Sequence, residues 1–121
     1  MPMKLNSIGD VIATRELFVA NDDSVTIVVK MGKPQPFPEG EGEGYFCPVL
    51  ISGYGVDELT YAGGVDAFQS IEFALTLIGT ALKGFNASLD DQLRWEGDDD
   101  EGFGFPVLDD DDDDDEEEEE R

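Results

Sequence analysis

The sequence predicts an α+β fold: a small antiparallel sheet of four or five strands, with one long helix packed across one face. Three observations predict it. From Val65 to Lys83, VDAFQSIEFALTLIGTALK, the residues Phe68, Ile71, Leu75, Ile78 and Leu82 recur three or four apart. That spacing is one face of a helix, roughly 28 Å long at about 1.5 Å per residue. Nearly all the period-two patterning lies before this stretch. Glycine and proline clusters cut those earlier residues into short extended units.

Taken in order, Met1 to Ser7 is a loose lead-in, and Val11 to Val19 is the first strand. One of its faces carries Val11, Ala13, Arg15, Leu17 and Val19, the other Ile12, Thr14, Glu16 and Phe18. Both faces mix apolar and polar residues, so the pattern does not select the buried one. Asn21, Asp22 and Asp23 make a turn, because their side chains bond the local backbone. Ser24 to Met31, SVTIVVKM, is rich in β-branched residues that suit a pleated surface. It pairs with the first strand as a hairpin. Pro34, Pro36 and Pro38 then hold the chain extended, and Gly40, Gly42 and Gly44 alternate with Glu39, Glu41 and Glu43. This stretch reads as a long loop, stiff and then mobile, and one that a partner could contact.

Tyr45 to Ser52 is the third strand, and Pro48 inside it implies an edge position or a bulge. Glu58 to Ala62 is a short fourth strand, and Gly63 and Gly64 swing the chain into the helix. Asp66 is placed to cap that helix, with Gln69 completing a capping box. Gly79 would permit a close approach, and Gly84 reads as the C-cap. Ser88 to Trp95 fits neither periodicity. Phe103, Phe105 and Val107 alternate as a last short strand would.

The 121 residues suffice for one domain, placed at 1–108, followed by a polyacidic tail at 109–121. Net charge is −23, and Asp109 to Glu120 is an unbroken acidic run. Repulsion between its carboxylates, with nothing apolar to offset ordering, predicts disorder there. The first 108 residues still hold eighteen acids against six bases. Such a balance repels nucleic acids and anionic membranes and favours basic proteins as partners. No stretch is long and apolar enough to span a membrane, the N-terminus lacks a signal peptide's apolar region, and Cys47 is alone. A cytoplasmic setting is the expectation. Oligomeric state is not encoded in any feature of the sequence.

The phrases IGDVIATREL, MGKPQPF, YFCPVLISG, YAGGVDAFQSIEFALTLIG and GFGFP occur in this order. Together they resemble a family of small, mostly bacterial proteins whose domain has no assigned function. The resemblance covers about residues 8–106. It implies one intact domain and carries no catalytic or ligand residue to any position here. Small bacterial proteins of this kind often serve as partners or immunity proteins of toxins, which is an analogy only.

Histidine is absent, which removes the usual general base and the commonest metal ligand. Cys47, between Phe46 and Pro48, reads as a buried structural thiol. The acidic runs lack the glycine turn and alternating donors of a calcium loop, so no metal or cofactor is expected. No catalytic residue is assigned. Glu16, Glu58, Asp66 and Glu72 could supply carboxylate acid/base chemistry, but nothing selects a pair among them. Gly63 and Gly64 precede a helix N-terminus, yet Asp66 would compete with any anion there. The expectation is therefore a non-enzymatic acidic protein that masks a basic surface of a partner. Its contact residues would be Glu39, Glu41, Glu43, Tyr45, Tyr54, Trp95, Asp98, Asp99 and Asp100. The alternatives are a small carboxylate enzyme, or charge that serves solubility only.

Overall fold

The computed structural model describes residues 4–20, 22–53, 56–89, 92–96 and 103–107. The β-branched run becomes part of β2 (Asp22–Gly32), paired antiparallel with β1 (Val11–Val19). After β3 (Gln35–Pro36) come β4 (Tyr45–Gly53), β5 (Val56–Gly64), α1 (Ala67–Ser88) and β6 (Leu93–Arg94). All pairings are antiparallel. β4 carries β5 along one edge, and β2 and β3 share the other. β1 lies beyond β2, and β6 adds to its far end at Phe18 and Val19. The result is the expected α+β fold with six strands, two of which are only two residues long.

The face that the pattern of β1 left open is settled by its partners. Leu17 and Val19 are buried, whereas Ile12, Thr14, Glu16 and Phe18 are exposed. The same side of the sheet contributes Ile27, Val29, Met31, Cys47, Val49, Ile51 and Ala62 to the core. α1 packs over β4 and β5 and adds Ala74, Ile78 and Leu82. Burying each of the larger two side chains stabilises by about 1.5–3 kcal/mol. The β1 side of the sheet is covered differently. There Phe103 is buried, and the Arg15 guanidinium donates to its carbonyl at 2.9 Å.

Several expectations need correction. β4 is interior, not an edge strand. Pro48 is tolerated because the β2 ladder stops at Met31↔Val49 and β3 resumes only at Gln35↔Phe46. Its missing N–H therefore coincides with an interruption in the ladder. β5 is longer than Glu58–Ala62 and takes in both glycines. α1 continues through Gly84 to a cap at Leu89, whose N–H donates to Ala87 and Asn86 carbonyls. Phe103–Val107 forms a turn and irregular chain rather than a strand. Gly79 is buried as a close-approach glycine, but its neighbour is Pro106, not the sheet.

The predicted helix stripe is partly displaced. Ser70, Ala74, Ile78, Gly79 and Leu82 are buried, while Phe68 is 84 % exposed. Phe68, Leu75 and Gly79 lie nearly in line along the helix, at steps of seven and four residues. Pro106 covers that line at Gly79, and Phe105 shares a cavity with Leu75. The cover at Gly79 and Leu75 does not extend to Phe68, which stays in solvent.

Candidate partner-binding surface

The loop that displays the glutamates is built on one aromatic anchor. Phe37 packs on Phe46 and Tyr61, with ring centroids 5.4 and 5.9 Å away, and Phe46 meets Tyr61 edge-on at 5.9 Å. Such clusters add about 0.5–1.5 kcal/mol per pair beyond area burial. The Phe37 N–H donates to the Gly44 carbonyl at 3.0 Å, and the Glu41 N–H donates to Pro38 at 3.0 Å. The dozen residues expected to be a structureless loop thus hold a two-residue strand and a closed turn. Gly44 has φ +88, and a Cβ there would strike the Gly64 carbonyl oxygen. Only glycine lets the loop lie this close to the end of β5.

Glu39, Glu41 and Glu43 all stand exposed on this anchored loop. Glu43 lines an open groove of about 540 Å³ with Phe37, Gly44, Gly63, Gly64, Val65 and Gln69. The helix start forms the other wall. The Asp66 carboxylate accepts from the Gln69 N–H at 2.8 Å, and the Gln69 side-chain oxygen accepts from the Val65 N–H at 2.8 Å. The expected capping pair is present, with its return bond one residue further out. Val65 is 78 % exposed and lines this groove with Glu43, and Phe68 is exposed in the first turn of α1. Tyr45 is half-buried at the head of β4, opposite Pro36 and Gly64, and so belongs to the same corner.

The remaining candidates fall elsewhere. Trp95 stacks on Arg15, whose guanidinium carbon is 3.8 Å from its ring centroid and 4.5 Å from that of Phe105. This arrangement sits at β1, across the sheet from the glutamate loop. Tyr54, Asp98, Asp99 and Asp100 lie outside the described residues, as does the polyacidic run. The structure therefore groups four of the nine candidates. It also adds Val65 to the groove, and it leaves Phe68, which the helical spacing assigned to the core stripe, exposed in the first turn of α1. One sequence signal was available: Val65 precedes the cap, but the residue four past the cap is Ser70, so no apolar staple partner exists.

The chemistry of the described residues is sparse. Cys47 has no solvent exposure, its thiol lies 3.6 Å from the Gly32 carbonyl, and burial pushes it up to about 11. It is a protonated core thiol at neutral pH. No group of three or more acids and thiols among the described residues is placed to hold a metal ion. Two other cavities of note are a space of about 160 Å³ between β1 and α1 and one of about 230 Å³ at Glu58. Neither of these, nor the groove at Glu43, brings two carboxylates together. No helix among the described residues is long and apolar enough to cross a membrane.

The chain belongs to the family described as a domain of unknown function, DUF6968, whose model matches residues 13–107. No curated protein and no solved structure matches it.

Proposed function

We propose that this domain is a binding module that covers a basic surface of a partner protein through the corner formed by the 39–43 loop and the start of α1. The supporting observation is an open groove in which Glu43 meets exposed Val65, on an anchored loop that also exposes Glu39 and Glu41, with Phe68 exposed in the first turn of α1 that follows. Solubility alone calls for dispersed charge and does not account for Val65 held in solvent beside Glu43 in that groove. A surface with an apolar centre and charged surround is the usual anatomy of a recognition patch. The net charge of −23 would steer a cationic partner toward it and suppress anionic ones.

The test is a pull-down from the native host with the full chain and with a version ending at Leu108, each at low and high salt. Two full-length variants accompany them, Phe68→Ser and the triple change Glu39→Gln, Glu41→Gln, Glu43→Gln. The expected result is a basic protein that elutes with salt and is retained about tenfold less by either variant, from a few exposed contacts of about 1 kcal/mol each. Equal recovery by wild type and both variants would refute the placement of the site. Recovery of nothing by any form would refute the function.

A further inference from the structure

We propose that β5 is the edge to which that partner adds, as an extended basic segment forming a further strand. The inference rests on the partner reading above and specifies its mode. β5 is paired to β4 over nine consecutive positions without a register shift, and no strand among the described residues lies on its other side. The opposite edge of the sheet is unlike it. β1 has irregularities between Val11 and Ala13 and between Phe18 and Val19, and β6 covers its end. Such bulges blunt an edge against pairing, whereas a long regular edge is a template.

The side chains of β5 fix the sign of the incoming strand. Exposed edges are commonly guarded by lysine. Val56–Gly64, VDELTYAGG, holds no basic residue and presents Asp57 and Glu58, both exposed. Glu58 also lines a space of about 230 Å³ with Ile51, Ala81, Leu82 and Phe85. An apolar floor with a carboxylate at its rim matches the aliphatic stem and cationic head of lysine or arginine. From Glu58 to Gly64 the edge runs about 20 Å, at about 3.3 Å per residue. It ends at the groove that holds Glu43 and Val65. One strand along β5 would therefore reach both acidic grooves, with alternate side chains beside Glu58 on the helix side and beside Leu59 and Tyr61 on the other. A second copy of this chain is a poor occupant, since each carries a charge of −23.

The experiment uses the full chain, ¹⁵N-labelled, titrated with three capped octapeptides: (Arg-Val)₄, the same sequence N-methylated at every residue, and (Thr-Val)₄. The first two carry equal charge, but the methylated form lacks every N–H that a ladder needs. The readout is residue-resolved amide shifts and hydrogen exchange, because the run 109–120 attracts cationic peptides wherever they dock. The expected result is that (Arg-Val)₄ perturbs and protects the amides of β5, and that its N-methylated form and (Thr-Val)₄ bind there about tenfold or more weaker. The variant Glu58→Lys, a substitution at an exposed position, should weaken the (Arg-Val)₄ effect on β5. Equal perturbation by both arginine peptides, or perturbation confined to the 39–44 loop, would overturn strand addition while leaving the basic-partner reading intact. No perturbation of any described residue by either arginine peptide would overturn both.

Discussion

Two glycines of α1 offer a paired measurement of how the chain near its C-terminal end is held. Either glycine costs the helix about 1 kcal/mol relative to alanine, because it adds backbone entropy to the unfolded chain. At Gly84 an added Cβ meets nothing within 4 Å. Gly84→Ala should therefore stabilise by about 1 kcal/mol, worth about 4–8 °C in Tm for a domain of this size. At Gly79 an added Cβ runs into the Pro106 carbonyl oxygen and lies 3.1 Å from Phe105 Cβ. That obstacle is backbone, which cannot swing aside as a side chain tip can. The 103–107 segment must move, and the burial of Phe103, about 1.5–3 kcal/mol for a side chain of its class, is at stake. The propensity gain of about 1 kcal/mol is the smaller effect, so Gly79→Ala should destabilise by about 0.5–2 kcal/mol. Urea unfolding followed by circular dichroism measures the two variants. Emission from Trp95, the sole tryptophan, reports the segment directly, because Trp95 packs against Gly104 and shares Arg15 with Phe105. If both variants gain stability equally with unchanged emission, the segment is not seated on the helix and the reasoning fails.

Three further outcomes follow from named contacts. Arg15→Lys should cost about 1–2 kcal/mol and shift Trp95 emission, since an ammonium cannot stack on Trp95 and Phe105 while donating to the Phe103 carbonyl. Cys47 has its pKa raised from 9.0 to about 11, so the unfolded thiol ionises first as pH rises. Its contribution is complete below pH 9 and is lost by about pH 11, a decline of about 2–3 kcal/mol. Denaturation across that range should show this decline in wild type relative to Cys47→Ala, and an absent difference would contradict the buried thiol. Asp66→Ala should cost about 1 kcal/mol in thermal unfolding, through loss of the bond to the Gln69 N–H.

The fold was legible wherever local chemistry and tertiary packing agree. The run SVTIVVKM could be little but a strand, and Asp66 with Gln69 marks a helix start that the structure keeps. Failures occur where a distant neighbour decides. Pro48 argues for an edge, yet sits inside because two other strands happen to divide at that position. Gly84 carries a stop signal that Leu82 and Leu89 override, since continuing the helix buries Leu89. Arg15 has no local reason to be half-buried. Its partners Trp95, Phe103 and Phe105 are about eighty to ninety positions away, and no periodicity records them. The proposed corner was half legible: the glutamates show in composition, whereas Phe68 looks like core until the length of helix exceeds the length of its cover.

On the proposal that this corner holds a basic partner, the relative size of two attractions sets what each residue would contribute. At physiological salt, charges farther apart than about 8 Å are largely screened, and an exposed ion pair contributes about 0.2–1 kcal/mol. Burying Phe68 against a partner contributes about 1.5–3 kcal/mol, more than any one glutamate, and salt does not screen it. Val65 adds a smaller amount of the same kind. On that proposal, residence time would depend on Phe68 and Val65, and rate of encounter on the carboxylates, which act before contact. A charge of −23 alone would hold any cationic protein briefly. On the two proposals together, holding one in a fixed orientation would fall to these apolar side chains, and the edge of β5 would discriminate by backbone geometry as well as by charge.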